Sequence, residues 1–141
     1  MVSDKLFLAL LGASSAHAEA SRQAFASLGL TEGQPKILYI LNRQDGQVQK
    51  DLANVCGIRQ STLTVLLAKM EENNYIYREV CYVSGGKRAY KIFLTDVGRE
   101  KAKKLDEVVE QLEEQGFAGF SKEDRKKLLM MLSNVEKNMK Q

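Results

Sequence analysis

Residues 47–94 read QVQKDLANVCGIRQSTLTVLLAKMEENNYIYREVCYVSGGKRAYKIFL, and a change of hydrophobic period inside this stretch decides the fold. As far as Asn73, apolar residues recur every three or four positions: Leu52, Ala53 and Cys56, then, beyond Gly57, Leu63, Leu66, Leu67 and Met70. That spacing predicts two helices, about Gln49–Val55 and Gln60–Asn73, separated by a short glycine turn. From Ile76 the period drops to two. Ile76–Val83 and Ala89–Leu94 are rich in β-branched and aromatic residues, and Ser84-Gly85-Gly86-Lys87-Arg88 joins them. An antiparallel hairpin with two adjacent cations at its tip is expected there. Asn73-Asn74 supplies the left-handed residue that stops the preceding helix, a role usually given to glycine. The whole reads as a helix-turn-helix followed directly by a hairpin.

On the N-terminal side, Thr31-Glu32-Gly33-Gln34 has capping-box spacing, with Pro35 in the first turn of a helix that buries Ile37, Leu38, Ile40 and Leu41. Asp45-Gly46 ends it. Earlier still, Lys5 before LFLALLGA and Ala16-His17-Ala18 imitate a secretory leader. Asp4 cancels Lys5, however, and the apolar positions Leu6, Leu10, Ala13, Ala16, Ala20, Ala24 and Leu28 run on past the apparent cleavage point. These steps predict one amphipathic helix over residues 4–28, stopped by Gly29. On the C-terminal side, Thr95 caps a long helix carrying Ala102, Leu105, Val109 and Leu112. Gly116 to Gly119 breaks it, and Ser121 starts a last helix with Leu128, Leu132, Val135 and Met139. Such narrow apolar stripes favour a partner helix.

The 141 residues are 44% apolar and 28% charged, enough for one domain with helical extensions and a proper core. Cys56 and Cys81 make neither a disulfide framework nor a ligand set, so a reducing cytoplasm is the expected location. No apolar run approaches the ~18 residues of a membrane span. The charge is informative by its placement. Against 21 Lys plus Arg stand 18 Asp plus Glu, and the whole surplus of three lies between Gly46 and Leu94, where seven basic residues face four acidic ones. A local basic excess on an otherwise balanced chain suits an anionic partner.

The residue types in that segment fit nucleic acid. The second helix of a helix-turn-helix enters the major groove by its N-terminal end. Arg59, Gln60, Ser61, Thr62 and Thr64 stand there, able to meet phosphates and base edges. Lys87 and Arg88 follow on a glycine-rich loop whose backbone can approach a surface closely. Nothing is arranged for catalysis. There is one histidine, no visible Cys–His pairing, no phosphate-binding glycine loop, no HExxH and no GxSxG. No catalytic residue, metal site or cofactor is expected, and the chain reads as a non-enzyme.

With Leu30-Thr31 and Gln34, LANVCGIRQSTLTVLLAKMEENNYIYRE (Leu52–Glu79) and KRAYKIFLTDVG (Lys87–Gly98), the sequence resembles the multiple-antibiotic-resistance-regulator (MarR) family of winged-helix transcription factors along nearly its whole length. The resemblance implies a mainly α (α+β) chain, with a winged helix-turn-helix lobe over 31–94 and long helical dimerisation regions at 1–30 and 95–141. It implies a homodimer gripping a palindromic operator, most often a repressor released by a small aromatic or phenolic effector. By the same resemblance Ser61, Thr62 and Thr64 fall at the DNA-contacting start of the recognition helix. Gln49 meets backbone from the preceding helix, Lys87 and Arg88 form the wing, and Arg78 stands at its foot. Arg59 and Gln60 complete the expected contact set. An effector pocket is implied where the first, second and fifth helices meet, with His17, Arg22, Phe25 and Tyr39 as its residues. Leu6, Leu10, Leu112, Phe117, Leu128 and Leu132 are the expected dimer contacts.

Three positions depart from the family's habit. Gly86 stands where an acidic residue often pins the wing loop, Val65 where Arg is common, and Arg59 where Asp often caps the recognition helix. Two other roles stay open for the chain: a winged helix that binds only protein, and a thiol redox sensor using Cys56 or Cys81.

Overall fold

The computed structural model describes residues 2–31 and 33–141. Its elements are α1 (Leu6–Ala26), α2 (Gln34–Arg43), β1 (Gln47–Val48), α3 (Gln49–Cys56), α4 (Gln60–Glu72), β2 (Ile76–Val83), β3 (Lys87–Leu94), α5 (Asp96–Gly116) and α6 (Lys122–Met139). The strands form one antiparallel sheet in the order β1-β3-β2. The chain divides into two units, Met1–Val109 and Glu110–Gln141, the boundary falling inside α5.

The first unit is built around one core. Leu30, Ile37, Leu38 and Leu41 meet Leu52 and Ala53 of α3, Leu63, Leu67 and Met70 of α4, Ile76, Ile92 and Leu94 of the sheet, and Ala102 and Leu105 of α5. Each large aliphatic side chain taken out of water here contributes about 1.5–3 kcal/mol, so the periodic stripes hold the lobe together. Ile40 and Leu66, expected in the core, lie only partly buried at its edge.

Most predicted boundaries fall within two residues of the observed ones, and the exceptions have physical reasons. Helix α2 starts at Gln34 behind Gly33, with no side-chain cap; the backbone N–H of Gln34 donates to the Thr31 carbonyl at 3.3 Å. The expected capping box is therefore not what opens this helix, and its second residue, Glu32, lies outside the described residues. Strand β1 was not expected. Two residues are too short for any period, and Gln47 and Val48 become a strand only because β3 offers Ile92 and Lys91 as partners. The wing loop is also shorter than expected. Gly85 and Gly86 sit at φ 80° and 72°, open to glycine at little cost, so the chain reverses within Ser84–Gly86 and pairing resumes at once. Lys87 and Arg88 are consequently the first residues of β3, opposite Val83 and Tyr82. The other stops behave as read. Asn74 adopts φ 63° after α4, the Thr95 hydroxyl accepts from the Gly98 N–H at 2.9 Å, and the Ser121 hydroxyl accepts from the Asp124 N–H at 3.0 Å.

Candidate nucleic-acid interface

Helix α3 and helix α4 are fixed to each other on two sides. Their inner faces share Leu52, Ala53, Leu63 and Leu67. On the outside, Gln49 Nε2 donates to Thr64 Oγ1 at 2.9 Å, and that hydroxyl donates to the Gln60 carbonyl one turn back, also at 2.9 Å. Two residues expected to face DNA are thus bonded to one another across the helix-turn-helix. Gly57 closes α3 in the left-handed conformation, and Arg59 occupies the N-cap of α4 with no side-chain cap bond. An Asp there would satisfy a free backbone N–H. Arg59 instead leaves the amides at the helix start open and adds a positive charge beside them. Arg59, Gln60, Ser61, Thr62 and Thr64 are all exposed, while Gln49 is partly buried.

The hairpin carries the second group of cations. Strand register alternates its faces, so Arg78, Val80 and Tyr82 of β2 share one face with Arg88, Tyr90 and Ile92 of β3. Tyr90 lies between the two arginines. The Arg78 guanidinium stands 4.9 Å from its ring centre and that of Arg88 5.5 Å, and Arg88 Nη2 donates to the Tyr90 hydroxyl at 3.2 Å. Tyr90 therefore orients Arg88 without neutralising it. Arg78 is different: its guanidinium pairs with Glu71 near the end of α4 at 3.3 Å, tying the foot of the wing to the helix. Among the described residues, no carboxylate lies within ion-pairing distance of Arg59, Lys87 or Arg88. On the opposite face Tyr77 stacks on Phe93 at 5.3 Å, stiffening the hairpin near the core.

Several residues that hold this surface in place had no signal in the sequence. Asp45, legible only as part of a turn, accepts from the Leu94 N–H at 2.9 Å and pairs with Arg99 at 3.0 Å, locking the α2–β1 loop to the β3–α5 junction. These partners lie 49 and 54 residues away, beyond any local pattern.

The residues expected around an effector divide into two kinds. Phe25 and Tyr39 pack against the core edge, whereas His17 and Arg22 are exposed on α1. Arg22 pairs with Glu19 one turn back, and His17 Nδ1 lies 3.5 Å from the Ser21 hydroxyl. The Tyr39 ring is covered on one side by Arg43, whose guanidinium sits 3.4 Å from its centre and also pairs with Asp106 of α5 at 3.1 Å. Of the expected dimer contacts, Leu6 and Leu10 are exposed on α1. In the second unit Leu128 and Leu132 are exposed on α6 beside Leu129, Met130 and Met131, while Leu112 and Phe117 are partly buried.

The two cysteines differ in setting. Cys56 is buried at the end of α3, and burial pushes its thiol above the ordinary range, an effect that the nearby Lys36 charge opposes without cancelling. Cys81 is partly exposed on β2. Among the described residues no helix is long and apolar enough to cross a membrane, and no group of three or more His, Cys, Asp or Glu is placed to hold a metal ion.

A helix-turn-helix of α3 and α4 packed on α2 and followed by the β2–β3 hairpin is the winged-helix architecture. Residues 30–81 match the sequence model of the MarR family. Solved structures agree along nearly the whole length. A MarR-family transcriptional regulator from Silicibacter pomeroyi is 23% identical, with a TM-score of 0.79 over 94% of this chain and 89% of its own. The transcriptional repressor CouR, solved bound to a 23-mer DNA duplex, is 24% identical, with a TM-score of 0.82 over 94% and 93%. BpsR of Bordetella bronchiseptica, whose DNA binding is regulated by 6-hydroxynicotinic acid, is 20% identical, with a TM-score of 0.81 over 96% of each chain.

Proposed function

We propose that this chain is a sequence-specific transcriptional regulator that binds a palindromic DNA operator as a homodimer and acts as a ligand-responsive repressor. The observation that carries the reading is the outward start of α4. Ser61 and Thr62 are exposed, Thr64 is braced by Gln49, and Arg59 is unpaired among the described residues, all on the lobe that holds the chain's entire positive surplus. The recognition helix supplies base contacts, while Gln49, Arg59, Arg78 and the Lys87–Arg88 wing supply phosphate contacts. CouR, of the same fold, has been captured on a duplex.

A homodimer is supported by the apolar side chains that α1 and α6 leave in water, Leu6 and Leu10 on one and Leu128 and Leu132 on the other. Two lobes bound to successive major grooves on one face of B-DNA must present their reading helices about 34 Å apart. An effector that alters that span weakens binding, and a coupling of about 1–3 kcal/mol suffices. In this reading the effector pocket involves His17, Arg22, Phe25 and Tyr39, and the packing of Phe25 and Tyr39 against the core edge supports it. That BpsR responds to an aromatic acid supports this part of the reading.

The experiment is selection of bound duplexes from a random pool, paired with light scattering. A two-fold symmetric consensus and a mass near twice the 15.8 kDa of the chain are expected. No enriched duplex, or binding that ignores salt, would remove the DNA reading and leave a protein-binding winged helix.

A further inference from the structure

The outward face of α4 has an unusual chemistry for a helix that reads bases. Leu63, Leu67 and Met70 point into the core, so helical geometry places Ser61, Val65, Ala68 and Glu72 on the opposite face, flanked by Thr62 and Thr64. All six are exposed, Val65 at 72%. The hydroxyl of Thr64 is already committed, donating to Gln60 and accepting from Gln49, so what Thr64 turns outward is chiefly its methyl group. Beyond Ser61 and Thr62, the middle of this face carries the hydrocarbon of Thr64, Val65 and Ala68, with Lys69 at its edge on the Thr62 side and Glu72 at its C-terminal end. It holds no Arg, Asn or Gln to grip a guanine or adenine edge with two hydrogen bonds, and its one cation, Lys69, sits at the edge and not among Thr64, Val65 and Ala68.

A hydrocarbon surface in the major groove has one apolar group to meet, the C5 methyl of thymine. Every base pair, A·T included, also presents hydrogen-bonding atoms in this groove, so the discrimination rests on the methyl itself: cytosine carries only hydrogen at that position and gives the hydrocarbon less surface to bury. Building on the DNA-binding reading above, we infer that the Thr64–Val65–Ala68 face reads thymine methyl groups, so that each half-site carries thymine at the base pairs under the middle of α4. Arg59, Gln60, Ser61 and Thr62 at the helix start then carry the hydrogen-bonded part of the code. Val65 is the specificity-determining residue of the apolar part, because it is the largest apolar side chain on that face and stays mostly exposed within its own lobe.

The test uses the full chain and duplexes selected from a random pool. Each selected duplex is remade with uracil in place of thymine, which removes the methyl groups and leaves every hydrogen-bonding edge intact. Affinity is expected to fall roughly fourfold for each methyl the helix covers, the loss of one buried methyl-sized group. In Val65→Ala, which folds because the site is exposed and alanine favours helix, the same exchange should cost less than twofold. Indifference of the wild-type chain to uracil overturns the inference while leaving DNA binding intact. A uracil penalty that persists undiminished in Val65→Ala also overturns it, since the effect then lies in the duplex and not in this contact. Failure to select any duplex overturns the inference together with the function beneath it.

Discussion

Gln49 and Thr64, fifteen residues apart in the chain, meet side chain to side chain at 2.9 Å across the helix-turn-helix. Each was read from sequence as an independent contact to DNA. Their bond makes them one unit, in which α3 sets the outward direction of α4, and it ties stability to recognition at a single point.

A double-mutant cycle should detect that unit. Gln49→Ala and Thr64→Val are each expected to lower stability by about 0.5–1.5 kcal/mol, and the pair together by less than the sum. Urea unfolding of the four proteins measures it. Strict additivity would mean that the bond contributes nothing in solution, and that Gln49 is free to serve DNA alone.

The wing should act through charge. Arg88 is held by Tyr90 and lacks a carboxylate partner among the described residues, so Arg88→Ala is expected to weaken binding to all duplexes alike and to make its salt dependence shallower by about one phosphate contact. Tyr90→Phe removes only the hydrogen bond that orients Arg88 and should have the smaller effect. Titrations at several salt concentrations read both. An unchanged slope in Arg88→Ala takes the wing out of the interface.

Gly98 tests how closely α5 lies against the turn before β2. A Cβ there would stand 2.0 Å from the Tyr75 carbonyl oxygen, a backbone atom that cannot step aside cheaply. Gly98→Ala should cost about 1–3 kcal/mol or more by urea unfolding, despite alanine's better helix propensity. Gly12 in α1 is the control, since a Cβ there meets nothing within 4 Å of its own chain. Gly12→Ala should gain about 0.5–1 kcal/mol. A loss at Gly12 would locate a second chain against that face of α1.

Cys56 should be slow to react and should make alkaline pH unfavourable. Its thiol is held above the ordinary range first by burial, with Lys36 opposing, so the folded state keeps the proton longer than the unfolded chain does. The stability that this protonated thiol contributes is full below the unfolded thiol's range, near 8.5, and is lost as pH rises through the raised folded value. Stability against pH above about 8.5 should therefore fall less steeply in Cys56→Ala than in the wild-type chain. Alkylation at neutral pH should label Cys81 before Cys56. Rapid labelling of Cys56 in the folded chain would restore the redox-sensor reading.

Local chemistry made the lobe legible before any coordinates. The apolar steps around Leu52, Leu63 and Met70, the change of period at Ile76, and the stops at Gly57 and Asn74 act over four or five residues, within reach of a chain read in order. They gave the helix-turn-helix, the hairpin and the basic third that marks the candidate interface. Most of the DNA-contact residues named from sequence lie exposed on the helix-turn-helix and hairpin, because polar residues opening an amphipathic helix are turned outward by the stripe that turns its other face inward.

What the order of residues could not disclose was who bonds to whom across the fold. That Gln49 spends its amide on Thr64, that Tyr90 separates and orients two arginines, and that Asp45 reaches Leu94 and Arg99 all depend on segments brought together by burial of the shared core. Strand β1 exists only by pairing with β3, and the reversal at Gly85–Gly86 moved Lys87 and Arg88 from a loop into a strand. Sequence determined the elements and their faces, since those follow from period and propensity along the chain. Tertiary structure decided their partners, since a hydrogen bond or ion pair needs its two ends within about 3 Å and only packing sets that distance.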